Sequence, residues 1–235
     1  MKTYFIISPA KDMAEQGRKG TKLPMFVKQS SVLLEQLKCL SVEDIRKTMK
    51  VSQKIAEQNY ERYANLQFDL EGIAAIVAYQ GLQYRQLHFE EYDEQEKEYL
   101  EEHVRILSGL YGILTPFTSI YPYRLEMAYS PFSLSTYWKD SITNYFEGSI
   151  VYDAASEEYG KVLGKNVVKI SFKIRKNGRL MTQSTQVKKA RGQWIHYVVK
   201  QKVEKREELL RFAEDGYHYE EALSDAQHIV FVKER

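Results

Sequence analysis

Apolar and polar positions alternate most regularly between Val168 and Gln183. Val168, Ile170, Phe172 and Ile174 interleave with Lys169, Ser171, Lys173 and Arg175, the period of a strand with one buried face. Asn177-Gly178 follows, the dipeptide that two-residue hairpin turns favour because both central residues need positive φ. In that register Ile174 opposes Met181, apolar against apolar. Runs at 2–7, 149–153 and 228–233 read as further strands, and the continuous apolar run 73–79 reads as a buried one. Helical spacing appears in Met25, Val32, Leu33 and Leu37 behind Pro24, at Ile45 and Met49 behind the capping-box residues Ser41 and Asp44, and over 52–64. Asp93 and Glu96 cap an amphipathic helix predicted over 93–107, whose outer face carries eight acids against Lys97. Further helices are expected over 133–146, from Ser156, over 188–202 and over 205–213, with an irregular segment at 108–127.

Strands and helices mix without a strict strand–helix–strand repeat, and no internal repeat is visible. The expectation is one mixed α/β (α+β) domain over 1–235, with an irregularly ordered central sheet surrounded by helices. Gly (12) and Pro (5) are sparse, which argues against disorder, and the apolar fraction of 43% suffices for a core. No apolar stretch approaches the roughly 20 residues of a membrane span, and the apolar run after Lys2 is too short for a signal peptide. The expected compartment is the cytoplasm. Cys39, the single cysteine, excludes an internal disulfide and a cysteine-based zinc site.

The net charge of +2 conceals an asymmetry. Between Gly160 and Val203 there is no Asp or Glu, while twelve of the 34 Lys and Arg residues lie there, leaving the rest of the chain ten acids in excess. Such a stretch suits a polyanionic partner or a solvated basic face. Lys188, Lys189 and Arg191 crowd the expected start of the 188–202 helix, where the helix dipole disfavours cations unless an anion is bound. Gly192 inside that helix costs about 1 kcal/mol against Ala, which suggests that a backbone or a ligand approaches closely. Ser8 and Lys11 follow the first strand at the end where ligand crevices of α/β sheets form. Arg124 and Glu126 share one face of an alternating segment, as a salt bridge or as an oriented anion clamp. Gly109 and Gly112 stand in an apolar segment as a tight turn, or as a glycine hairpin presenting backbone N–H groups to DNA phosphates. The five histidines lack metal-ligand spacing, so no metal site and no cofactor are expected. Among the 18 tyrosines, Tyr197 beside the basic stretch is a candidate for stacking on bases.

Several segments occur together in order: Ile7-Ser8-Pro9-Ala10-Lys11, Arg105 to Leu114, Tyr121 to Met127, Ala155-Ser156-Glu157-Glu158-Tyr159, Lys188-Lys189-Ala190-Arg191-Gly192 and Asp215-Gly216-Tyr217. In this ordered set, along nearly its whole length, the chain resembles the YaaA family of bacterial peroxide-stress proteins. The resemblance implies a cytosolic protein that limits free intracellular iron and iron-driven DNA damage. It also implies a compact mixed α/β fold with a positively charged cleft. A helix-hairpin-helix-like element, here matched by Gly109 and Gly112, would be associated with DNA binding. Ser8, Lys11, Arg124, Glu126, Lys188, Lys189 and Arg191 are the matching anion-site positions, and DNA, with little sequence readout, is the expected partner. One departure is visible. Where family members often carry Ala-Phe-Lys-Gly-Asp-Val-Tyr, this chain has Ala78-Tyr79-Gln80-Gly81-Leu82-Gln83-Tyr84, without either charge. The alternative reading is an enzyme acting on a small nucleotide-like anion in a cleft built from Ser8, Lys11, Arg124 and Lys188. A direct iron-sequestering role has no ligand set to support it.

Overall fold

Five strands run parallel through the middle of one sheet: β1 (Thr3–Ile7), β2 (Val104–Ser108), β4 (Ile150–Asp153), β5 (Val168–Lys176) and β8 (His228–Glu234). Three short antiparallel strands complete it, β3 (Gly112–Leu114), β6 (Arg179–Met181) and β7 (Tyr217–Tyr219). The order is β7-β8-β5-β4-β1-β2-β3, with β6 paired to β5. The structure, a computed structural model, describes residues 1–129, 132–165 and 167–234. The fold is a single compact α/β domain, as the sequence pattern predicts.

Strand β5 alternates buried residues with half-buried or exposed ones, whereas β1 and β2 are buried on both faces. Successive residues of β1 show this. Tyr4 packs on Tyr145 and Phe146 at the end of α6 (Leu134–Tyr145), with ring centroids 5.6 and 5.3 Å away. Phe5 meets Trp194 of α7 (Ser184–Gln201) edge-on at 5.7 Å on the opposite face. The predicted hairpin forms with the expected register, Met181 opposite Ile174. Both predicted capping boxes are present, at Ser41 on α2 (Val42–Met49) and at Asp93 on α5 (Glu94–His103). Two other helices lie as expected apart from their ends: α1 (Val27–Lys38), which starts beyond Pro24, and α3 (Gln53–Asn65).

Four expectations are corrected. The 73–79 run is not a strand: Ile73–Ala74 pairs with Ser119–Ile120, Ala75–Ala78 forms one helical turn, and Tyr79–Gln80 pairs with Asp12–Met13. An all-buried apolar run carries no period to separate the two conformations, and its alanines favour the helix. The helix expected to reach Leu107 stops at His103, and Val104–Ser108 is the central strand β2, fully buried and rich in β-branched side chains. Helix α7 begins at Ser184, so Lys188 is its fifth residue and the dipole penalty inferred for a cationic first turn does not apply. The expected 205–213 helix is one turn, Arg206–Leu209. Among the described residues no helix is long and apolar enough to cross a membrane.

Candidate functional site

Strand order reverses at β1. The next sheet strand along the chain, β2, lies on one side of it, and β4 lies on the other. In parallel sheets such a switch point opens a crevice beyond the carboxyl ends of the strands. A cleft of about 770 Å³ lies there. Its walls are Ser8–Asp12 leaving β1, Gln80–Arg85, Tyr123–Glu126, Ser156, Glu158 and Tyr159 after β4, and Thr185, Lys188 and Arg191 of α7. Ser8, Lys11, Arg124, Glu126, Lys188 and Arg191 therefore converge from three segments.

Ser8 is held by the fold. The Ser156 N–H donates to its Oγ at 2.7 Å, and its carbonyl accepts from Tyr84 Oη at 2.9 Å and Gln83 Nε2 at 3.3 Å. These bonds tie the exits of β1 and β4 to α4 (Leu82–Arg85), one helical turn on the cleft wall. Gly192 explains how that turn is seated. A Cβ there would lie 2.1 Å from the Gln83 carbonyl oxygen, so the close backbone approach expected from the sequence is between α7 and α4.

Arg124 and Glu126 point to the cleft while Tyr123, Leu125 and Met127 are buried, so the alternation read from the sequence holds without a ladder of strand pairing. Glu126 Oε2 takes Lys11 Nζ at 2.8 Å, and Oε1 takes Arg124 at 2.6 Å and the Tyr129 hydroxyl. Burial works to raise this carboxyl, but Lys11, Tyr129 and Arg124 outweigh it and hold it below its ordinary value. Beneath the cleft the Ser108, Tyr123 and Tyr79 hydroxyls form a chain with steps of 2.6 and 2.8 Å, and burial pushes Tyr123 up to about 12.

Arg191 is nearly enclosed. It donates to the Ala155 carbonyl at 2.9 Å, and burial lowers its pKa against the field of Asp153. Asp153, at the carboxyl end of β4, is pushed up to about 6 by burial, although the Ala155 N–H and Arg191 oppose the shift. Lys188 is exposed at the cleft and has no carboxylate within 4 Å among the described residues. Arg85 joins Lys11, Arg124, Lys188 and Arg191 as a fifth cation, against Asp12, Glu126 and Glu158, so the lining is mixed in charge.

Four sequence candidates fall elsewhere. Lys189 pairs with Asp215 at 3.3 Å, outside the cleft lining. Gly109 is buried in the turn between β2 and β3 and Gly112 is the buried first residue of β3, so this segment is a β-hairpin and not a hairpin between helices. A Cβ at Gly109 would meet the Leu125 carbonyl at 2.2 Å and one at Gly112 the Trp138 ring at 2.7 Å, so protein, not phosphate, is what approaches them. Gly109 thereby lets the Tyr123–Glu126 wall pack down. Tyr197 is half-buried, donates to the Glu208 carbonyl at 2.8 Å and packs on Phe212, away from the cleft lining.

The acidic face of α5 contributes nothing to the cleft; Glu96 instead pairs with Lys200 near the far end of α7. Among the described residues no three His, Cys, Asp or Glu side chains are placed to hold a metal ion. Arg85, Gln83, Ser156, Glu158 and Asp153 are not among the site residues expected from sequence. Ser156 and Glu158 had a signal, their place in the Ala155–Tyr159 segment just past a strand.

The family model described as peroxide stress protein YaaA matches residues 3–223. The chain is 40% identical to a UPF0246 protein of Finegoldia magna, over 97% of each chain. It is 36% identical to a UPF0246 protein of Clostridioides difficile, over 97% of this chain and 99% of that one. A UPF0246 protein of Desulfitobacterium hafniense is also 36% identical, over 97% of each. With matches of that extent and a cleft formed by the segments that carry the likeness, the chain belongs to the YaaA family of peroxide-stress proteins.

Proposed function

We propose that this chain serves the peroxide-stress response in the cytoplasm by holding DNA phosphate at the cleft, and so limits iron-driven damage to DNA. The observation that carries this reading is the convergence of Lys11, Arg124, Lys188 and Arg191 on one crevice at the sheet's switch point. Lys188 offers a charge with no carboxylate within 4 Å among the described residues, and Arg191 is an enclosed guanidinium, the group best suited to a phosphate. Glu126 occupies Lys11 and Arg124 in the free protein, and a phosphate oxygen competes for the same two cations. The cleft volume lies in the range of small-ligand sites, about 300–1,000 Å³, so one phosphodiester with its nucleotide enters while the rest of the nucleic acid lies across the rim. Contacts of this kind position a protein without reading sequence. In this reading the limiting of iron-driven damage follows from the DNA contact.

The test is a salt titration of DNA binding. Lys188→Ala should flatten the dependence of log affinity on log salt by about 0.9 for duplex DNA, one phosphate contact. An unchanged slope with unchanged affinity overturns the reading. The second reading, an enzyme acting on a small nucleotide-like anion, draws on the cleft's size and mixed lining. It gains if nucleoside monophosphates bind while oligonucleotides do not.

A further inference from the structure

The β5–β6 hairpin is built against its own stability. Lys176 and Arg179 are directly opposed across the Asn177-Gly178 turn, and like charges in that position repel. Both are exposed, and among the described residues neither has a carboxylate within 4 Å. The next two positions of β6, Leu180 and Met181, are 40% and 46% exposed. Register puts them on opposite faces of the ribbon. Leu180 pairs with Arg175, whose row includes Lys173, and Met181 pairs with Ile174, whose row includes Lys176. Met181 thus shares its face with Lys176 and Arg179, while Leu180 lies beside Arg175, which Glu220 and Glu234 already pair at 3.0 and 2.6 Å.

The sheet topology places this tip next to the cleft. One edge of β5 is taken by β8 as far as Arg175. The other edge pairs with β4 at Val168 and Lys169 and with β6 from Ile174 to Lys176. Strand β6 therefore lies beyond the carboxyl end of β4, on the side where the cleft opens. Five residues of β5 separate the partners of Asp153 and Met181, about 17 Å at strand rise. Met181 is also only four residues before Thr185 on the cleft wall, a reach of at most about 14 Å. At about 3.4 Å per phosphate along one strand of a duplex, that reach covers at most about four nucleotide steps.

We propose that the hairpin tip is a second nucleic-acid contact, in which Lys176 and Arg179 take phosphates and Leu180 and Met181 lie against base faces of the DNA held at the cleft. This rests on the DNA reading given above and adds the element that would touch bases. Apolar side chains set among cations are how architectural proteins wedge against base steps. Opposed cations would find in a phosphate the neutralisation that the fold does not give them.

The test uses the full chain and two double variants, Leu180→Ser with Met181→Ser, and Lys176→Gln with Arg179→Gln. Probes are a labelled 20-nucleotide single strand, its duplex and inorganic polyphosphate. The serine pair should weaken oligonucleotide binding at least fivefold and leave polyphosphate binding as in wild type. The glutamine pair should flatten the single-strand salt slope by about 1.4, two phosphate contacts, and should melt no lower than wild type because a repulsion is removed. Wild-type affinity and slope in both variants overturn the hairpin contact and leave the cleft reading standing, with Lys188→Ala as its own check. A wild-type chain that binds neither oligonucleotide overturns both. Binding to phosphatidylserine vesicles that the glutamine pair abolishes, with oligonucleotide binding intact, assigns the tip to a membrane surface and overturns the proposal.

Discussion

Replacing Gly192 by alanine sets two effects of opposite sign against each other. In a helix interior the change should stabilise by about 1 kcal/mol, because glycine loses more backbone entropy on folding. The structure opposes this. The new methyl would sit 2.1 Å from the Gln83 carbonyl oxygen and 2.7 Å from Gln86 Cβ. Contact at 3.4 Å requires the α4 backbone to retreat by about 1.3 Å. Overpacking of this kind costs about 1–3 kcal/mol. The upper half of that range applies, because the obstructing atom is backbone and its turn is tied to Ser8 through Gln83 and Tyr84. The net expectation is a loss of about 1–2 kcal/mol, a fall in melting temperature of roughly 2–8 °C for a chain of this size. The same displacement moves one wall of the cleft, so affinity for a phosphate-bearing probe should fall with stability. Calorimetric melts and a binding titration on one preparation read both. A higher melting temperature with unchanged binding would show that α4 is not seated on α7 and would refute the account of the cleft wall.

Three other outcomes follow from the site. Asp153, held at about 6 against an ordinary 3.8, binds more protons folded than unfolded between those values, so its ionisation weakens the fold as pH rises, by about 3 kcal/mol in all. Asp153→Asn should therefore gain stability over wild type above pH 6 and lose that advantage near pH 4; urea curves that differ equally at both pH values contradict the buried acid. Lys189→Ala should leave the salt slope of binding unchanged and cost at most about 1 kcal/mol of stability through the Asp215 pair, and a slope change as large as that of Lys188→Ala would place Lys189 on the ligand. Glu126→Gln should free Lys11 and Arg124 and raise phosphate affinity roughly fourfold at low salt, the Coulomb value for one charge at about 5 Å in water; weaker binding would mean that the carboxylate is needed to aim the two cations.

What could be read from the sequence follows from where each signal originates. The hairpin register and the two capping boxes were legible because their determinants lie within a few residues: Asn177-Gly178 with its flanking alternation, Ser41 with Asp44, and Asp93 with Glu96. The boundaries that failed lie where local signals are silent. Val104–Ser108 is buried on both faces, so nothing in its pattern separates it from the helix before it. Helix α7 starts at Ser184 behind Gln183, not behind one of the usual capping residues, and its apolar rhythm begins only at Val187. Lys11, Arg124, Lys188 and Arg191 could be found because each stands in a motif or a run of charge. Gln83, Arg85 and Asp153 could not, since their part in the site comes from where the fold places them.

The glycines show the limit most clearly. Gly192 indicated a close approach and Gly109 a tight turn or a phosphate hairpin, and each has backbone against it, at 2.1 Å to Gln83 and 2.2 Å to Leu125. A glycine says that something comes near and is silent about what. At Gly192 protein was one of the partners considered; at Gly109 the phosphate reading fails because the whole turn is buried. Both contacts seat a wall of the same cleft, α4 in one case and Tyr123–Glu126 in the other. The glycines thus serve the site as spacers behind its walls, and the charged groups in front of them carry its chemistry.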